Sequence, residues 1–247
     1  MTVRYLLLSD MHGNIDAFEA VLADADGDWD RVIVLGDLVG YGAEPNLVID
    51  KVRSLDPLTV IRGNHDKAAC GLDDGSQFNQ VARLAAAWTG QFLTPGNRTY
   101  LRELPMGPVQ IDDMVEICHG APFDEDYYIF DGNDALRGME TASRPLCFFG
   151  HTHLPVMFWV KDKSFEGAAP SGPETILALE DGAQYLVNPG SVGQPRDGDA
   201  RAAYGILDNS AREIRLRRVV YPVDKAQRRI LAAGLPASLA NRLALGR

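Results

Sequence analysis

The chain has 247 residues, of which 46% are hydrophobic, and this length suffices for one large globular domain with a substantial core. Its formal net charge of -10 disfavours a protein that wraps nucleic acid through a basic surface, but it is compatible with a small anionic substrate bound through cations. Three cysteines without a C-x-x-C pair and a short N-terminal apolar run predict a cytoplasmic protein with reduced thiols and no membrane span.

The first part of the chain repeats one pattern three times: an apolar strand, a polar loop and then a helix. Three such units in succession predict a parallel sheet, and right-handed crossovers place their loops at one edge of it. Open α/β sheets bind their ligands at that edge. The predicted strands cover residues 3–8, 32–35 and 58–61, and the predicted helices cover 15–25, 45–55, 78–93 and 98–104.

The second part contains shorter apolar runs separated by turns, and it predicts a second, largely antiparallel sheet packed on the first. A helix capped by Asn133 is expected to run to about residue 142. The segment 161–173, rich in glycine, proline and alanine, is the best candidate for a mobile loop. Residues 1–247 are expected to form one domain, on which 222–247 pack as a helical tail with solvated arginines. The predicted strands lie at 109–111, 115–118, 146–149, 155–160, 175–180, 184–188, 203–208 and 213–220.

All five histidines follow apolar strand-like runs, and two aspartates and an asparagine occupy similar places. Imidazole, carboxylate and amide groups, with no thiolate expected among them, suit manganese, iron, zinc, nickel or cobalt. The set is larger than one tetrahedral ion uses, which favours two ions that share a carboxylate. Cys118, beside one of the histidines, is expected to be a core thiol. The candidate residues are Asp10, His12, Asp37, Asn64, His65, His119, His151 and His153.

These residues fall into five short blocks that resemble the motif set of the calcineurin-like metallophosphoesterases, in the same order and on equivalent loops. The resemblance extends from residue 3 to about residue 220. It implies an α/β (α+β) fold, a β-sandwich of two sheets flanked by helices in a four-layer architecture. The blocks are Asp10-x-His12, Gly36-Asp37, Gly63-Asn64-His65-Asp66, His119 and Gly150-His151-Thr152-His153.

The resemblance also implies a role for each residue, with a metal-bridging hydroxide attacking the phosphorus in line. Asp37, as the bridging carboxylate, and His65 would be the catalytic side chains. His65 would bind no metal; it would meet the substrate phosphate and protonate or stabilise the leaving oxygen. Two manganese ions are the first expectation, with iron, zinc, nickel or cobalt as alternatives. One ion would be held by Asp10, His12 and His153, the second by Asn64, His119 and His151, and both by Asp37.

One block departs from the phosphoprotein phosphatases of this superfamily, which continue Gly-Asp as G-D-x-x-D-R-G. The second aspartate, which orients the catalytic histidine, and the phosphate-binding arginine are both missing here, so a serine/threonine protein phosphatase is disfavoured. Asp66 could take part in orienting His65, or it could be an acid at a helix start. The chain is instead similar to the small prokaryotic branch, which includes YfcE-like phosphodiesterases and enzymes that cleave diadenosine tetraphosphate. The run here is Gly36-Asp37-Leu38-Val39-Gly40-Tyr41-Gly42.

The resemblance therefore predicts a phosphoesterase that acts on phosphodiesters or dinucleoside polyphosphates, small phosphorylated substrates that include nucleotides. The alternatives are a phosphomonoesterase of small molecules and a metal-binding interaction scaffold without catalysis, and the net charge disfavours a nuclease. The run 188–196 is similar to a block of the small prokaryotic branch, although its Asn-Pro-Gly-Ser also describes a turn. The candidate substrate contacts are Arg196, whose guanidinium could pair with a second phosphate, Arg62 and Tyr41.

Overall fold

Two six-stranded sheets form the centre of the computed structural model, which describes residues 3–247. No helix in this part of the chain is both long enough and apolar enough to cross a lipid bilayer. The strands are β1 (Arg4–Leu8), β2 (Arg31–Val34), β3 (Leu58–Val60), β4 (Val109–Gln110), β5 (Val115–Ile117), β6 (Leu146–Phe148), β7 (Val156–Lys161), β8 (Ser164–Ala168), β9 (Glu174–Ala178), β10 (Gln184–Asn188), β11 (Ala202–Asp208) and β12 (Glu213–Val219). The helices are α1 (Ile15–Asp24), α2 (Pro45–Arg53), α3 (Asn64–Cys70), α4 (Gln80–Phe92), α5 (Pro95–Glu103), α6 (Gly132–Thr141), α7 (Val223–Ala232) and α8 (Ala237–Leu243).

The first sheet has the strand order β3-β2-β1-β11-β12-β9. Its β1, β2 and β3 are parallel, as the three strand–loop–helix units predicted. The strands predicted near 175–180, 203–208 and 213–220 were wrongly placed in the second sheet. They are β9, β11 and β12, and they extend the first sheet because β11 pairs antiparallel with β1, where Leu7 faces Gly205. An apolar alternation identifies a strand, but it does not identify the partner of that strand.

The second sheet has the order β4-β5-β6-β10-β7-β8 and is mixed rather than largely antiparallel. Its β5, β6 and β10 are parallel neighbours, because α6 carries the chain back between β5 and β6. Leu7 and Ile33 of the first sheet meet Phe148 and Val187 of the second in the core between them. Helices α1 and α2 cover the outer face of the first sheet, and α6 covers that of the second. The predicted two-sheet fold flanked by helices is confirmed.

Two local predictions were wrong. The segment 161–173 is not a structureless loop, because β8 lies within it and pairs with β7 in a hairpin. The helix near Asn133 is capped by Asp131, whose carboxylate accepts hydrogen bonds of 2.8 and 3.0 Å from the first free N–H groups of α6. At the start of α6 several polar residues adjoin one another, and the sequence does not show which of them accepts the capping hydrogen bonds.

The C-terminal tail forms α7 and α8, of which α7 packs against α1 and α8 packs against α7. Two cations of α7, Lys225 and Arg229, pair with the buried carboxylate of Asp16 at 2.6 and 3.0 Å. Through α8 the tail reaches the loop after β2, where the guanidinium carbon of Arg242 lies 5.8 Å from the ring centroid of Tyr41. The prediction that the tail arginines form a solvated face was therefore wrong for two of them.

Candidate metal centre

The predicted site residues lie on loops that follow the strands of both sheets, and much of this backbone is left-handed. Residues other than glycine rarely adopt a positive φ, and each one costs about 1 kcal/mol. Surrounding hydrogen bonds must hold these loops in place, and they thereby fix the positions of the side chains. The site residues with φ angles of 52°, 46°, 54°, 56°, 66° and 60° are, in order, Asp10, His12, Asp37, Tyr41, His151 and His153.

Asp10 is held by contacts with three loop residues. Ser9 Oγ donates to Asp10 Oδ2 at 2.6 Å, and Ser191 Oγ donates to the backbone carbonyl of Asp10 at 2.8 Å. The backbone N–H of His151 donates to the same carboxylate, 3.2 Å from Oδ2. Gly150 permits this approach, because a Cβ there would lie only 2.0 Å from Ser9 Oγ. The first and last motif blocks are thus joined directly.

Asn188, the first residue of the Asn-Pro-Gly-Ser turn, joins that turn to the loop of the two paired histidines. Its side-chain amide donates to the carbonyl of Gly150 at 2.7 Å and to Thr152 Oγ1 at 3.0 Å. Its Oδ1 accepts a hydrogen bond of 2.8 Å from the N–H of Gly190. The run is a turn, as its composition indicates, and it also positions the histidine loop.

We expect Asn188→Ala to lower the free energy of unfolding by about 2–3 kcal/mol, because it leaves a buried carbonyl without its donor. Urea denaturation followed by circular dichroism measures this loss. Asn133→Ala, at an exposed position in α6, is the matched control and should change stability by less than about 0.5 kcal/mol. Equal losses in the two variants would contradict the positioning role of Asn188.

Four buried side chains form a first cluster, in which one potential ligand atom of each lies within 4.8 Å of the others. The Nε2 atoms of His12 and His153 are 3.0 Å apart. Asp10 Oδ1 lies 3.4 Å from His153 Nε2, and Asp37 Oδ2 lies 3.6 Å from His12 Nε2. Two imidazoles and two carboxylates form a donor set that suits one divalent transition metal ion.

Asp37 also belongs to a second cluster, with His119 and His151. Its Oδ2 lies 3.5 Å from His119 Nε2, and His151 Nδ1 lies 3.2 Å from the same nitrogen. Asn64 adds an amide oxygen, 3.3 Å from His119 Nε2. The structure thus brings the seven predicted ligands together as two adjacent groups that share Asp37, and it places His151 and His153 in different groups.

In each of the four clustered histidines, one ring nitrogen contacts a backbone carbonyl oxygen. A carbonyl only accepts hydrogen bonds, so that nitrogen carries a proton and the other nitrogen faces the cluster, where it presents a lone pair whenever the ring is neutral. Hydrogen bonds of this kind orient metal-binding imidazoles. The contacts are His12 Nδ1 to Val39 at 3.0 Å, His119 Nδ1 to Leu35 at 2.7 Å, His151 Nε2 to Asp126 at 3.1 Å and His153 Nδ1 to Gln194 at 2.6 Å.

The charges of these groups fit divalent cations. Burial lowers the pKa of His12 and of His153, so two lone pairs face each other at 3.0 Å, and a cation between them removes the repulsion. Burial raises the pKa of Asp37, but His119 and His65 outweigh it and hold that pKa well below its usual value. Burial likewise lowers the pKa of His119, but Asp37 outweighs it and raises that pKa to about 10. Positive charge nearby therefore stabilises the Asp37 carboxylate, and bound metal ions would supply such charge.

His65 lies beside the first cluster and outside the two ligand groups. Its ring packs 4.5 Å from the ring of Phe78 and 4.4 Å from that of Tyr41. Its buried Nδ1 has no hydrogen-bond partner among residues 3–247. Burial lowers the pKa of His65 to about 4, so the imidazole is neutral near pH 7.

Asp66 is the acid at a helix start rather than a partner of the His65 ring. Its Oδ2 accepts a hydrogen bond of 3.0 Å from the N–H of Gly63, and its Oδ1 accepts one of 3.2 Å from the N–H of Val39. The bond to Gly63 caps α3, a short helix that the predicted elements did not include. The bond to Val39 joins that helix to the loop after β2, so both carboxylate oxygens accept from backbone N–H groups.

The three predicted substrate contacts lie in different surroundings. The ring of Tyr41 is 4.7 Å from that of His12, and Arg196 Nη2 donates to Tyr41 Oη at 3.4 Å. Arg62 instead forms two hydrogen bonds with the carboxylate of Glu125, at 2.9 and 3.0 Å. The structure thus brings Tyr41 and Arg196 to the first cluster, whereas Arg62 takes part in a separate ion pair.

Two residues near the clusters were not predicted. The ring of Tyr128 stacks on His151, with centroids 3.7 Å apart, and Arg242 approaches Tyr41 from the C-terminal tail. Tyr128 belongs to none of the motif blocks, and Arg242 lies in a segment whose arginines the sequence predicted to be exposed to solvent. Only the tertiary contacts reveal these two residues.

Residues 3–212 match the family model for the calcineurin-like phosphoesterase superfamily domain. The uncharacterized protein MJ0912 of Methanocaldococcus jannaschii is 34% identical over 247 residues, which cover 98% of this chain and 97% of the relative. The crystal structure of a metallophosphoesterase from Sphaerobacter thermophilus is 38% identical and covers 100% of both chains, with a TM-score of 0.88. The hypothetical protein PH1004 of Pyrococcus horikoshii OT3 has the same fold, at 20% identity over 99% of both chains and a TM-score of 0.80. Because these matches include every loop that carries a clustered residue, the chain belongs to the calcineurin-like phosphoesterase superfamily.

Proposed function

We propose that the protein is a binuclear metal-dependent phosphodiesterase that acts on phosphodiesters or dinucleoside polyphosphates. Membership of the superfamily implies a phosphoester hydrolase, and the Asp and His clusters could bind divalent metals. The observation that carries the proposal is the carboxylate of Asp37, which belongs to both clusters. A shared carboxylate keeps two cations within a few ångströms of each other, as phosphoryl transfer at a two-metal site requires.

The proposed ligand sets follow the two clusters. When bound, the ions, for which manganese is the first candidate, activate water near neutral pH and neutralise charge on the phosphoryl oxygens. The backbone carbonyls that accept from the histidine rings orient the other four ring nitrogens toward the positions that the ions would take. One ion would be held by Asp10, His12 and His153, the second by Asn64, His119 and His151, and both by Asp37.

His65 is proposed to act on the leaving oxygen of the substrate. Its neutral imidazole carries one N–H, which can donate a hydrogen bond to that oxygen and stabilise the negative charge that develops there. Phe78 and Tyr41 pack on the ring, and they hold it beside the first cluster. Its buried Nδ1 is not engaged by another residue among 3–247, so that nitrogen remains available.

The surroundings of His65 favour diesters over phosphoprotein monoesters. Tyr41 stands where the phosphoprotein phosphatases carry their phosphate-binding arginine, and its ring lies 4.4 Å from that of His65. A monoester dianion would lose the charge-assisted hydrogen bonds of that guanidinium. A diester carries one negative charge and one more organic substituent, so an aromatic side chain suits it better.

We expect manganese-loaded protein to hydrolyse bis-p-nitrophenyl phosphate with a kcat/KM at least about tenfold higher than for p-nitrophenyl phosphate, because the site lacks the arginine that binds a dianion. Release of p-nitrophenolate measures both reactions. A preference for the monoester would contradict the diesterase assignment and favour a phosphomonoesterase. No hydrolysis of either compound with manganese, iron, zinc, nickel or cobalt would contradict the enzymatic assignment and favour a scaffold.

A further inference from the structure

Two arginines from distant parts of the chain face the ring of Tyr41. The guanidinium carbon of Arg196 lies 5.7 Å from the ring centroid, and that of Arg242 lies 5.8 Å from it. The ring of Tyr41 is in turn 4.7 Å from that of His12 and 4.4 Å from that of His65. The arginine pair is therefore one aromatic ring away from the proposed reacting groups.

Neither arginine of this pair forms an ion pair with an aspartate or glutamate among residues 3–247, although the chain contains 34 acidic and 24 basic residues. Arg196 donates to the neutral oxygens of Tyr41, at 3.4 Å, and of Gln194, at 3.2 Å. Its Nε is buried without a hydrogen-bond partner in this part of the chain. Arg242 donates from Nε to the main-chain carbonyl of Arg247. Neither guanidinium is thus hydrogen-bonded to an aspartate or glutamate side chain.

This arrangement is unfavourable for the protein alone. Burial lowers the pKa of Arg242, and the nearby charge of Arg196 lowers it further. By contrast, Arg229, which also faces the body of the protein from the tail, pairs with Asp16 at 3.0 Å and with Glu44 at 2.5 Å. Two half-buried guanidinium groups without an aspartate or glutamate partner offer several N–H donors to an anion, and their planar geometry matches the oxygens of a phosphate.

A cavity of about 530 Å³ opens beside Arg242, between the start of α4 and α8. This volume lies in the range of small-molecule sites and is sufficient for a nucleoside. Neutral polar groups and aliphatic groups line it together with the ring of Tyr41, and the described lining includes no acid that would repel an anion. The lining residues are Tyr41, Asn79, Gln80, Val81, Ser238, Leu239 and Arg242.

We propose that Arg196 and Arg242 form a subsite for a second phosphate of the substrate, and that the cavity beside them receives the organic group attached to it. This inference rests on the proposed function, in which the scissile phosphate lies at the metal clusters. It selects, within that function, substrates with at least two linked phosphates, such as dinucleoside polyphosphates. It also gives the C-terminal tail a direct part in recognition, through Arg242.

The test compares the binding of two nucleotides that differ by one phosphate unit, adenosine 5′-(α,β-methylene)diphosphate and AMP, to manganese-loaded protein by isothermal titration calorimetry. Arg242→Gln should weaken binding of the diphosphate analogue at least about tenfold more than binding of AMP, because only the longer chain reaches the subsite. Arg242→Lys should recover part of the loss. Arg228→Gln is the matched control, since Arg228 is exposed on α7 and pairs only with Asp224, and it should change neither affinity.

Equal weakening of both nucleotides in Arg242→Gln, or no change in either, would overturn the subsite. Because binding requires no turnover, the result is separate from that of the hydrolysis assay. A selective loss in a protein that hydrolyses neither p-nitrophenyl compound would uphold the subsite and reject the proposed function. A thermal melt of each variant verifies that α8 remains folded.

Discussion

Replacing Asp37 by asparagine is expected to lower kcat at least about a thousandfold and to reduce the metal content of the protein. The carboxylate lies 3.6 Å from His12 Nε2 in one cluster and 3.5 Å from His119 Nε2 in the other. Asparagine keeps the shape of the side chain but has a single oxygen and no charge. It can neither hold two cations together nor compensate the positive charge of the site.

Asp66→Asn is the matched control for Asp37→Asn. Asp66 is equally buried and lies in the first turn of α3, but its oxygens accept only from the backbone N–H groups of Gly63 and Val39. Its replacement should lower the melting temperature while both metal ions remain bound. If Asp37→Asn kept two ions and a kcat within tenfold of the wild-type value, the bridging role of Asp37 would be wrong.

Replacing His65 by alanine should leave both metal ions in place and lower kcat about 100- to 1,000-fold, the range expected for loss of one hydrogen-bond donor to developing negative charge. His65 lies outside both ligand groups, and its ring is held between Phe78 and Tyr41. A hydrogen-bond donor to the leaving oxygen matters most when that oxygen is strongly basic and develops the most negative charge. The loss should therefore be larger for a diester with an alkyl leaving group than for bis-p-nitrophenyl phosphate.

This dependence on the leaving group separates catalysis from positioning. If His65 only orders the loop, His65→Ala would lower kcat equally for both diesters. Phe78→Leu serves as the control, because it removes the stacking partner of the imidazole but leaves the imidazole itself. It should reduce kcat less than His65→Ala and with no preference between the two substrates.

The sequence predicted the local parts of this molecule well, because apolar runs mark buried strands and polar residues at their ends mark the loops of a site. The positions of Asp10, Asp37 and His119 after three such runs sufficed to predict that they converge. The assignment of β9, β11 and β12 to the first sheet was not predictable in this way. It depends on pairing with β1, which lies far away in the chain.

The pair His151 and His153 shows why residue spacing alone is not enough. On extended backbone, residues two apart face the same side, so spacing favours one common site. The φ angles of 66° and 60° make this segment left-handed instead, and the two rings point into different clusters. The family resemblance implied two groups of this kind, whereas the periodicity of a strand favoured one.

Other parts of the site depend on tertiary contacts that no local pattern reveals. Arg242 reaches Tyr41 from the C-terminal tail, whose α7 is joined to the body of the protein by ion pairs with Asp16. Tyr128 stacks on His151 from a loop without a recognisable motif. Asn188 looks like an ordinary turn residue, and its two bonds to the histidine loop appear only in the folded chain.

The metal content of the wild-type protein tests the two-metal site most directly. Manganese-loaded protein should contain two ions per chain by plasma mass spectrometry, and anomalous scattering from its crystals should place one in each of the two clusters that share Asp37. A single ion per chain, bound by both His151 and His153, would contradict the division of these histidines and the binuclear site.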